Sequence, residues 1–154
     1  MGQNGVTVFS GQYRHTLDPK GRLSIPGEFR EALLNGSQEL LMVTTNFDQC
    51  LVAYCQEEWN RILDKAKGLP MTDRHVEDFM RYFIASARKC PLDRHGRILI
   101  PPTLRGASKL NKEVILLGMN YKFEVWDHRR WKEKEEQILQ SSEEIKMALA
   151  SLGL

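Results

Sequence analysis

The 154-residue sequence predicts an α+β fold, mostly β, built from two pseudo-symmetric halves in one chain. The first observation behind this prediction is a repeated Asp-x-x-Gly-Arg motif, DPKGR at residues 18–22 and DRHGR at residues 93–97. The second is that residues 17–32 and 92–107 share eight identities in sixteen aligned positions. The third is that two apolar runs follow each motif at a similar interval. A whole supersecondary unit is therefore duplicated.

Each unit is expected to contain a strand, a short helix and a hairpin. The motif places turn-forming residues directly before the apolar segments 23–25 and 98–100, which predicts a loop that leads into a strand. Pro26 and Pro101 end these strands and suit the first turn of a helix. The hairpin strands are predicted at 40–44 and 50–54 in the first copy and at 114–117 and 123–126 in the second. The predicted order in each unit is therefore strand, helix, strand, strand.

The repeat divides the chain into four parts. These are a first repeat at 8–59, a helical bridge at 60–87, a second repeat at 88–131 and a charged C-terminal helix at 132–154. The bridge is predicted as two amphipathic helices with a break at Gly68 and Pro70. The tail from Trp131 to Leu149 is predicted as one helix with a narrow apolar stripe, which suits docking on a neighbouring subunit.

Composition limits the class of protein. A hydrophobic content of 42% can supply a core, and no apolar run reaches the eighteen residues of a membrane span. Residues 1–11 lack the basic-then-apolar plan of a secretory signal, which predicts a cytoplasmic protein with no membrane partner. The three cysteines form no C-x-x-C pair, so we expect them to be reduced and half-buried.

Charge is segregated along the chain although the formal net charge is only +2. Residues 88–112 carry seven Lys or Arg side chains and one Asp, whereas residues 133–146 carry five Glu and two Lys. A basic middle and an acidic tail are typical of a polyanion-binding face. The same pattern also fits an ordinary solvated surface, and both interpretations stay open at this point.

Three motifs together resemble the MraZ family of bacterial transcriptional regulators. They are F-x-G-x-Y-x-H-T-L-D-x-K-G-R-x-x-x-P from Phe9 to Pro26, D-x-x-G-R-x-x-x-P from Asp93 to Pro101, and GMNYKFEVWD at 118–127. The resemblance covers residues 8–132. It implies a duplicated swapped-hairpin, AbrB-like (double-split) β-barrel capped by helices, related to the AbrB and MazE folds. It also implies ring-shaped homo-oligomers that bind tandem repeats in the promoter of their own division and cell-wall gene cluster.

The resemblance points to the two motif loops as the DNA-binding site. A glycine allows a tight turn and a close approach of the backbone, and the planar arginine fork suits phosphate or the O6/N7 edge of guanine. In the second copy a histidine, His95, replaces the family's usual lysine, which is a departure from the family's pattern. The candidate DNA-binding residues are Arg22, Arg97, Lys20, Gly21, Gly96, Arg14, His15, Arg94 and His95.

Two acidic residues are assigned a different role. Asp18 and Asp93 would be repelled by phosphate, so we expect them to brace the turn through backbone N–H groups or to orient the arginine. A purely structural alternative is that Arg22 and Arg97 only pair with these aspartates. Arg30 and Arg105 are also repeated, and for them a salt bridge and a DNA contact are equally plausible.

Other classes of function are less favoured by the sequence. There is no G-x-S-x-G, no phosphate-binding G-x-x-x-x-G-K-[ST] and no metal-ligand cluster, so neither catalysis, nor a cofactor, nor a metal, nor a small-molecule substrate is expected. The predicted partners are double-stranded DNA and further copies of the chain, and the predicted location is the nucleoid. Repression is expected through occlusion of RNA polymerase. The alternative is an oligomeric ring that binds protein rather than DNA.

Overall fold

The computed structural model describes residues 7–35 and 40–154. Residues 1–6, part of the stretch examined for a secretory signal, lie outside the described residues. The strands are β1 Gln12–Thr16, β2 Arg22–Ser24, β3 Leu40–Thr45, β4 Leu51–Cys55, β5 Arg88–Pro91, β6 Arg97–Leu99, β7 Glu113–Gly118 and β8 Phe123–Asp127. The helices are α1 Gly27–Asn35, α2 Gln56–Lys67, α3 Arg74–Phe79, α4 Pro102–Ala107, α5 His128–Gln140 and α6 Ser142–Ser151, and a π-helical turn at Met80–Ile84 continues α3.

The strands form two antiparallel sheets in which the two halves exchange strands. The larger sheet has the order β1-β7-β8-β4-β3-β5, and the smaller one pairs β2 with β6. β1 of the first half pairs with β7 of the second, while β5 of the second half pairs with β3 of the first. Because each hairpin is flanked by a strand from the other half, neither half can complete its sheet alone.

The large sheet is covered on both faces, which explains the nearly continuous apolar runs of its four inner strands. One core lies between this sheet, the β2–β6 ribbon and helices α1 and α4, with Phe9, Phe29 and Phe123 in mutual ring contact. The second core lies on the opposite face and contains the tryptophans Trp59, Trp126 and Trp131. These three tryptophans are therefore core residues, one in the first half and two in the second.

The predicted unit lacked its first strand. The structure places β1 and β5 ahead of the motif loops, so each unit runs strand, strand, helix, strand, strand. Both strands lie at the edges of the large sheet, and most of their side chains are exposed. An edge strand exposed in this way has no clear run of apolar residues, and for this reason the sequence pattern did not reveal it.

The predicted single C-terminal helix is wrong in one respect, because two helices occupy this region. α5 ends at Gln140, and the N–H of Ser141 donates to the carbonyls of Gln137 and Ile138 in a tightened last turn. The Ser-Ser pair at 141–142 favours such a break, since serine hydroxyls compete for backbone hydrogen bonds. No residue of α6 is buried.

The cysteines Cys50, Cys55 and Cys90 are free, but all three are buried rather than half-buried, and burial raises the pKa of the Cys90 thiol to about 11. The strand order of the described residues ends at β1 and β5, so the closed barrel implied by the resemblance is not seen in these pairings. None of the helices in residues 7–35 and 40–154 combines the length and the hydropathy needed to cross a bilayer.

Candidate nucleic-acid interface

The first motif loop is a tight turn held by one carboxylate. The N–H of Gly21 donates to the carbonyl of Asp18, and the N–H of Asp18 donates to the carbonyl of Arg22. Asp18 Oδ1 accepts from the backbone N–H groups of Lys20 and Arg22 at 2.9 and 2.8 Å. Its Oδ2 accepts from the Nε of Arg22 at 2.5 Å. These contacts, chiefly the bond from the Arg22 backbone, hold the pKa of Asp18 below its usual value.

The second loop repeats the same set of bonds. The N–H of Gly96 donates to the carbonyl of Asp93, whose Oδ1 accepts from the backbone of His95 at 2.8 Å and of Arg97 at 3.0 Å. Arg97 Nε donates to Asp93 Oδ2 at 3.1 Å. The pKa of Asp93 is also lowered, mainly by the Arg97 backbone N–H. Both carboxylates therefore fix the turn and the first part of the arginine side chain at once.

Close contacts with the opposite half of the chain require a glycine in each loop. Gly21 and Gly96 have φ values of +89° and +74°, which side chains with a Cβ rarely adopt. A Cβ at Gly21 would lie 2.9 Å from Arg105 Cζ and 3.0 Å from the carbonyl oxygen of Ile100. A Cβ at Gly96 would lie 2.7 Å from Cδ of Arg30. Each loop therefore rests on an arginine from the other half.

The second repeated arginine pair, Arg30 and Arg105, packs under these glycines. Arg30 Nε donates to the carbonyl of Ile25 at 3.0 Å, and Arg105 Nε donates to that of Ile100 at 3.2 Å. Neither arginine forms a salt bridge with any described residue. Both arginines therefore support the opposite loop by packing rather than through the ion pair that the sequence suggested, and a DNA contact by either one stays a prediction.

The β2–β6 ribbon carries both motif arginines on one outward face. Leu23 pairs with Ile98 at its centre, and both side chains are buried. Side chains alternate along a strand, so the residues on either side of this pair face solvent. Arg22 lies opposite Leu99, and Arg97 lies opposite Ser24. The two arginines are diagonal neighbours, a relation that places residues about 7–8 Å apart in an antiparallel ladder.

Both arginines keep groups available for a ligand. Their side chains are 37% and 29% exposed, so neither is buried in the interior. Only the Nε of each is bonded, to Asp18 or Asp93, and across the described part of the chain no acceptor contacts their terminal Nη groups. The aspartate pairing expected from the purely structural alternative is present, and it leaves the bidentate end of each guanidinium free.

The remaining predicted contacts are distributed unevenly around the ribbon. Lys20, Arg94 and His95 are exposed at the loop tips, and these two tips lie at opposite ends of the ribbon because its strands are antiparallel. Arg14 instead forms an ion pair with Glu113, which lowers the pKa of that carboxyl. His15 lies with its Nδ1 2.6 Å from the carbonyl oxygen of Ser24. These last two residues flank the ribbon from β1.

The structure adds a basic cleft beside the first loop that the linear sequence did not reveal. The N–H of Leu17 donates to the carbonyl of Lys112 at 2.7 Å, which brings the start of β7 next to the loop. The cleft is lined by Leu17, Asp18, Pro19, Arg105, Gly106, Lys109, Leu110, Asn111 and Lys112. Lys109 and Lys112 were counted only as part of the basic segment of the second half, yet they lie beside the loop of the first.

A metal centre has no support in the described ranges, where no group of three or more His, Cys, Asp or Glu side chains is placed to hold a metal ion. The feature that stands out is instead a pair of matched, aspartate-braced arginine loops on a two-stranded ribbon. The fold and the loops thus define a class, the internally duplicated α+β proteins whose halves exchange edge strands.

Comparison with known proteins gives the family. Residues 8–81 and 83–151 match the family described as "MraZ protein, putative antitoxin-like". A protein of Acetivibrio thermocellus named transcriptional regulator MraZ is 40% identical over 96% of this chain and 100% of its own length. Proteins with the same name from Heliobacterium modesticaldum and Thermoanaerobacter sp. strain X514 are 38% and 42% identical over the same shares. The chain belongs to the MraZ family.

Proposed function

We propose that this chain is a sequence-specific DNA-binding transcriptional regulator and that it represses its own division and cell-wall gene cluster. The observation that carries the proposal is the pair of free guanidinium ends of Arg22 and Arg97 on one face of the ribbon. The regulator names of the relatives support the same class. A regulator of this kind is expected in the cytoplasm, on the nucleoid.

A two-stranded ribbon fits the major groove of B-DNA, where each base pair presents a distinct set of donors and acceptors. A guanidinium held by its Nε can still offer its two Nη groups to the O6 and N7 atoms of one guanine. The aspartates keep the arginines oriented before DNA binds, so less side-chain entropy is lost on binding. In this proposal Arg22 and Arg97 read bases.

The exposed basic residues around the ribbon are assigned to the phosphate backbone. Lys20, Arg94 and His95 extend from the loop tips, and Lys109 and Lys112 line the cleft beside the first loop. Phosphate contacts position a protein on the duplex and make its affinity depend on salt. Arg14 is a weaker candidate, since phosphate must compete with Glu113 for its guanidinium.

We further propose that several copies form a ring and bind successive repeats in the promoter. One short ribbon makes few contacts, whereas linking several of them raises the overall affinity by roughly 10²- to 10⁴-fold without any new contact. We include in this proposal the swapped-hairpin barrel that the resemblance to the family implies. A single repeat is then expected to bind poorly.

The central test is a gel shift of the purified protein on its own upstream DNA, with a salt titration. The logarithm of the binding constant should fall linearly with the logarithm of salt concentration, with a slope of about −0.9 per neutralised phosphate. The double variant Arg22→Ala/Arg97→Ala should lose the shift and keep its oligomeric mass. Arg61→Ala is the matched control, because Arg61 lies on α2 and, among the described residues, pairs with Glu57 and Glu58 of the same helix. Normal binding by the double variant would refute the assignment.

A second candidate function is a ring that binds protein rather than DNA. It is favoured by the exposed apolar residues of the two C-terminal helices and of the turn after them, which are Ile138, Leu139, Ile145, Met147, Leu149 and Leu152. DNA binding that depends little on salt and shows no preference for the upstream DNA would favour this alternative.

Removing residues 142–154 tests whether α6 contributes to assembly, and an unchanged mass in light scattering would discard that role.

A further inference from the structure

The outward face of the β2–β6 ribbon contains an exposed leucine. Four residues form this face, namely Arg22, Ser24, Arg97 and Leu99. Leu99 is 59% exposed, although the residues on either side of it, Ile98 and Ile100, are buried in the core. An exposed apolar side chain next to two arginines is a feature that the arginines alone do not explain.

The two strands of the ribbon are related by a pseudo-twofold axis, and Leu99 departs from that symmetry. The register that pairs Leu23 with Ile98 exchanges Arg22 with Arg97 and Ser24 with Leu99. The arginine positions are therefore equivalent, while the other two carry a hydroxyl in one half and an isobutyl group in the other. Arg22 lies opposite the leucine, and Arg97 lies opposite the serine.

The residues around Leu99 indicate which kind of group it contacts. The guanidinium groups of Arg22 and Arg97 flank Leu99 across and along the ribbon, so a large apolar protein surface would have to desolvate both charges in order to dock there. The thymine methyl group is the apolar feature of the major groove, and guanine edges suited to arginine lie in the same groove. A serine hydroxyl can bond to any base edge and does not select a methyl group.

We propose that Leu99 contacts the methyl group of one thymine in each DNA repeat, whereas Ser24 occupies the equivalent place in the other half-site without such a requirement. This inference rests on the DNA-binding function proposed above. A ribbon with perfect twofold symmetry would bind a half-site equally well in either direction. The Ser24–Leu99 difference gives the ribbon a direction, and this direction sets its orientation on repeats that all run the same way.

The experiment replaces thymine by deoxyuridine, which lacks only the methyl group, one position at a time in one repeat of the upstream DNA. For the wild type, one position per repeat should lower affinity about three- to fivefold, the value expected for one buried methyl group. Leu99→Ser makes the two halves alike at this position, and it should bind thymine and uracil probes equally. Ser24→Ala should keep the wild-type ratio between the two probes.

The outcomes separate this inference from the function on which it rests. Failure of the wild type to bind any upstream DNA removes the proposed function itself. Tight binding in which no uracil probe distinguishes wild type from Leu99→Ser overturns the role of Leu99 alone. A Leu99→Ser protein that keeps its far-ultraviolet spectrum but changes its mass in light scattering also overturns it, because Leu99 would then contact a second copy.

Discussion

The two motif loops share their backbone bonds and differ in the side chains at their tips. In both, an aspartate accepts from two backbone N–H groups and from the Nε of an arginine. Pro19 and Lys20 fill the tip of the first loop, and Arg94 and His95 fill that of the second. The residues that repeat are those whose atoms build the loop, while those that differ point into solvent. The duplication therefore preserved geometry and left the charge of each tip free to change.

The largest effect should come from the arginines, and it should be equal in the two loops. Arg22→Ala and Arg97→Ala should each weaken binding to the upstream DNA by about 10- to 100-fold, since a bidentate arginine–guanine pair contributes roughly 1–3 kcal/mol. Fluorescence anisotropy at constant salt measures both losses. A large loss in one variant and none in the other would break the equivalence of the loops.

The glycines test how each loop rests on the opposite half. Gly21→Ala and Gly96→Ala should each lower the free energy of unfolding by about 1–3 kcal/mol, because φ is positive and a Cβ meets an arginine. At both glycines the nearest atoms to an added Cβ belong to an arginine side chain of the other half, so the two losses should be similar. Urea denaturation gives both values.

Gly106→Ala serves as the control for these glycines. Gly106 lies in α4, and apart from its neighbours and the backbone of its own helix no described atom lies within 4 Å of an added Cβ, so alanine should stabilise the protein by about 0.5–1 kcal/mol. Equal destabilisation by all three substitutions would mean that the arginine contacts under the loops do not matter.

The aspartates predict a matched acid sensitivity. Their folded-state pKa values are lowered, so the stability that they add is present above the unfolded value of about 3.9 and is lost as pH falls through the folded value. Asp18→Asn and Asp93→Asn should therefore each reduce stability at pH 7 and flatten its decline below pH 4. Urea denaturation between pH 3 and 7 measures this. A wild-type decline that both variants retain in full would exclude these carboxylates as its source.

The smallest effect concerns the differing loop tips. At pH 8 Lys20→His should make the salt slope of DNA binding less steep, and His95→Lys should make it steeper, each by about 0.9 for every phosphate that the lysine neutralises. Salt titrations on the same promoter fragment measure the two slopes. Unchanged slopes in both variants would show that the tips do not contact phosphate.

Much of this architecture could be predicted from the sequence, because side chains at equivalent positions of the two repeats lie in similar environments. The sequence predicted the strands that follow the motifs, the ends of these strands at the two prolines, and the hairpins. Buried strands leave continuous apolar runs, which made this possible. The edge strands β1 and β5 were missed because one unpaired edge and exposed side chains weaken that signal. The break at Ser141 was missed because helix ends depend on local hydrogen bonds rather than on periodicity.

The sequence likewise predicted one part of the candidate site and missed another. Arg22, Arg97 and their aspartates were recognised from the motif, whereas Leu99 was assigned only to a strand, and its exposure depends on which face of the ribbon meets solvent. The support that Arg30 and Arg105 give to the loops was not predicted, because a linear sequence does not show that each lies under a glycine of the other half.

The sequence by itself determined the duplication, the turn chemistry of the two loops and the apolar strands, because these depend on neighbours a few residues away. Only the tertiary structure decided which half supports which loop, that both arginines share one outward face, and that Lys112 lies beside Leu17. The physical reason is strand exchange. Pairing β1 with β7 and β5 with β3 creates contacts between distant segments, and such contacts follow from register and packing rather than from local pattern.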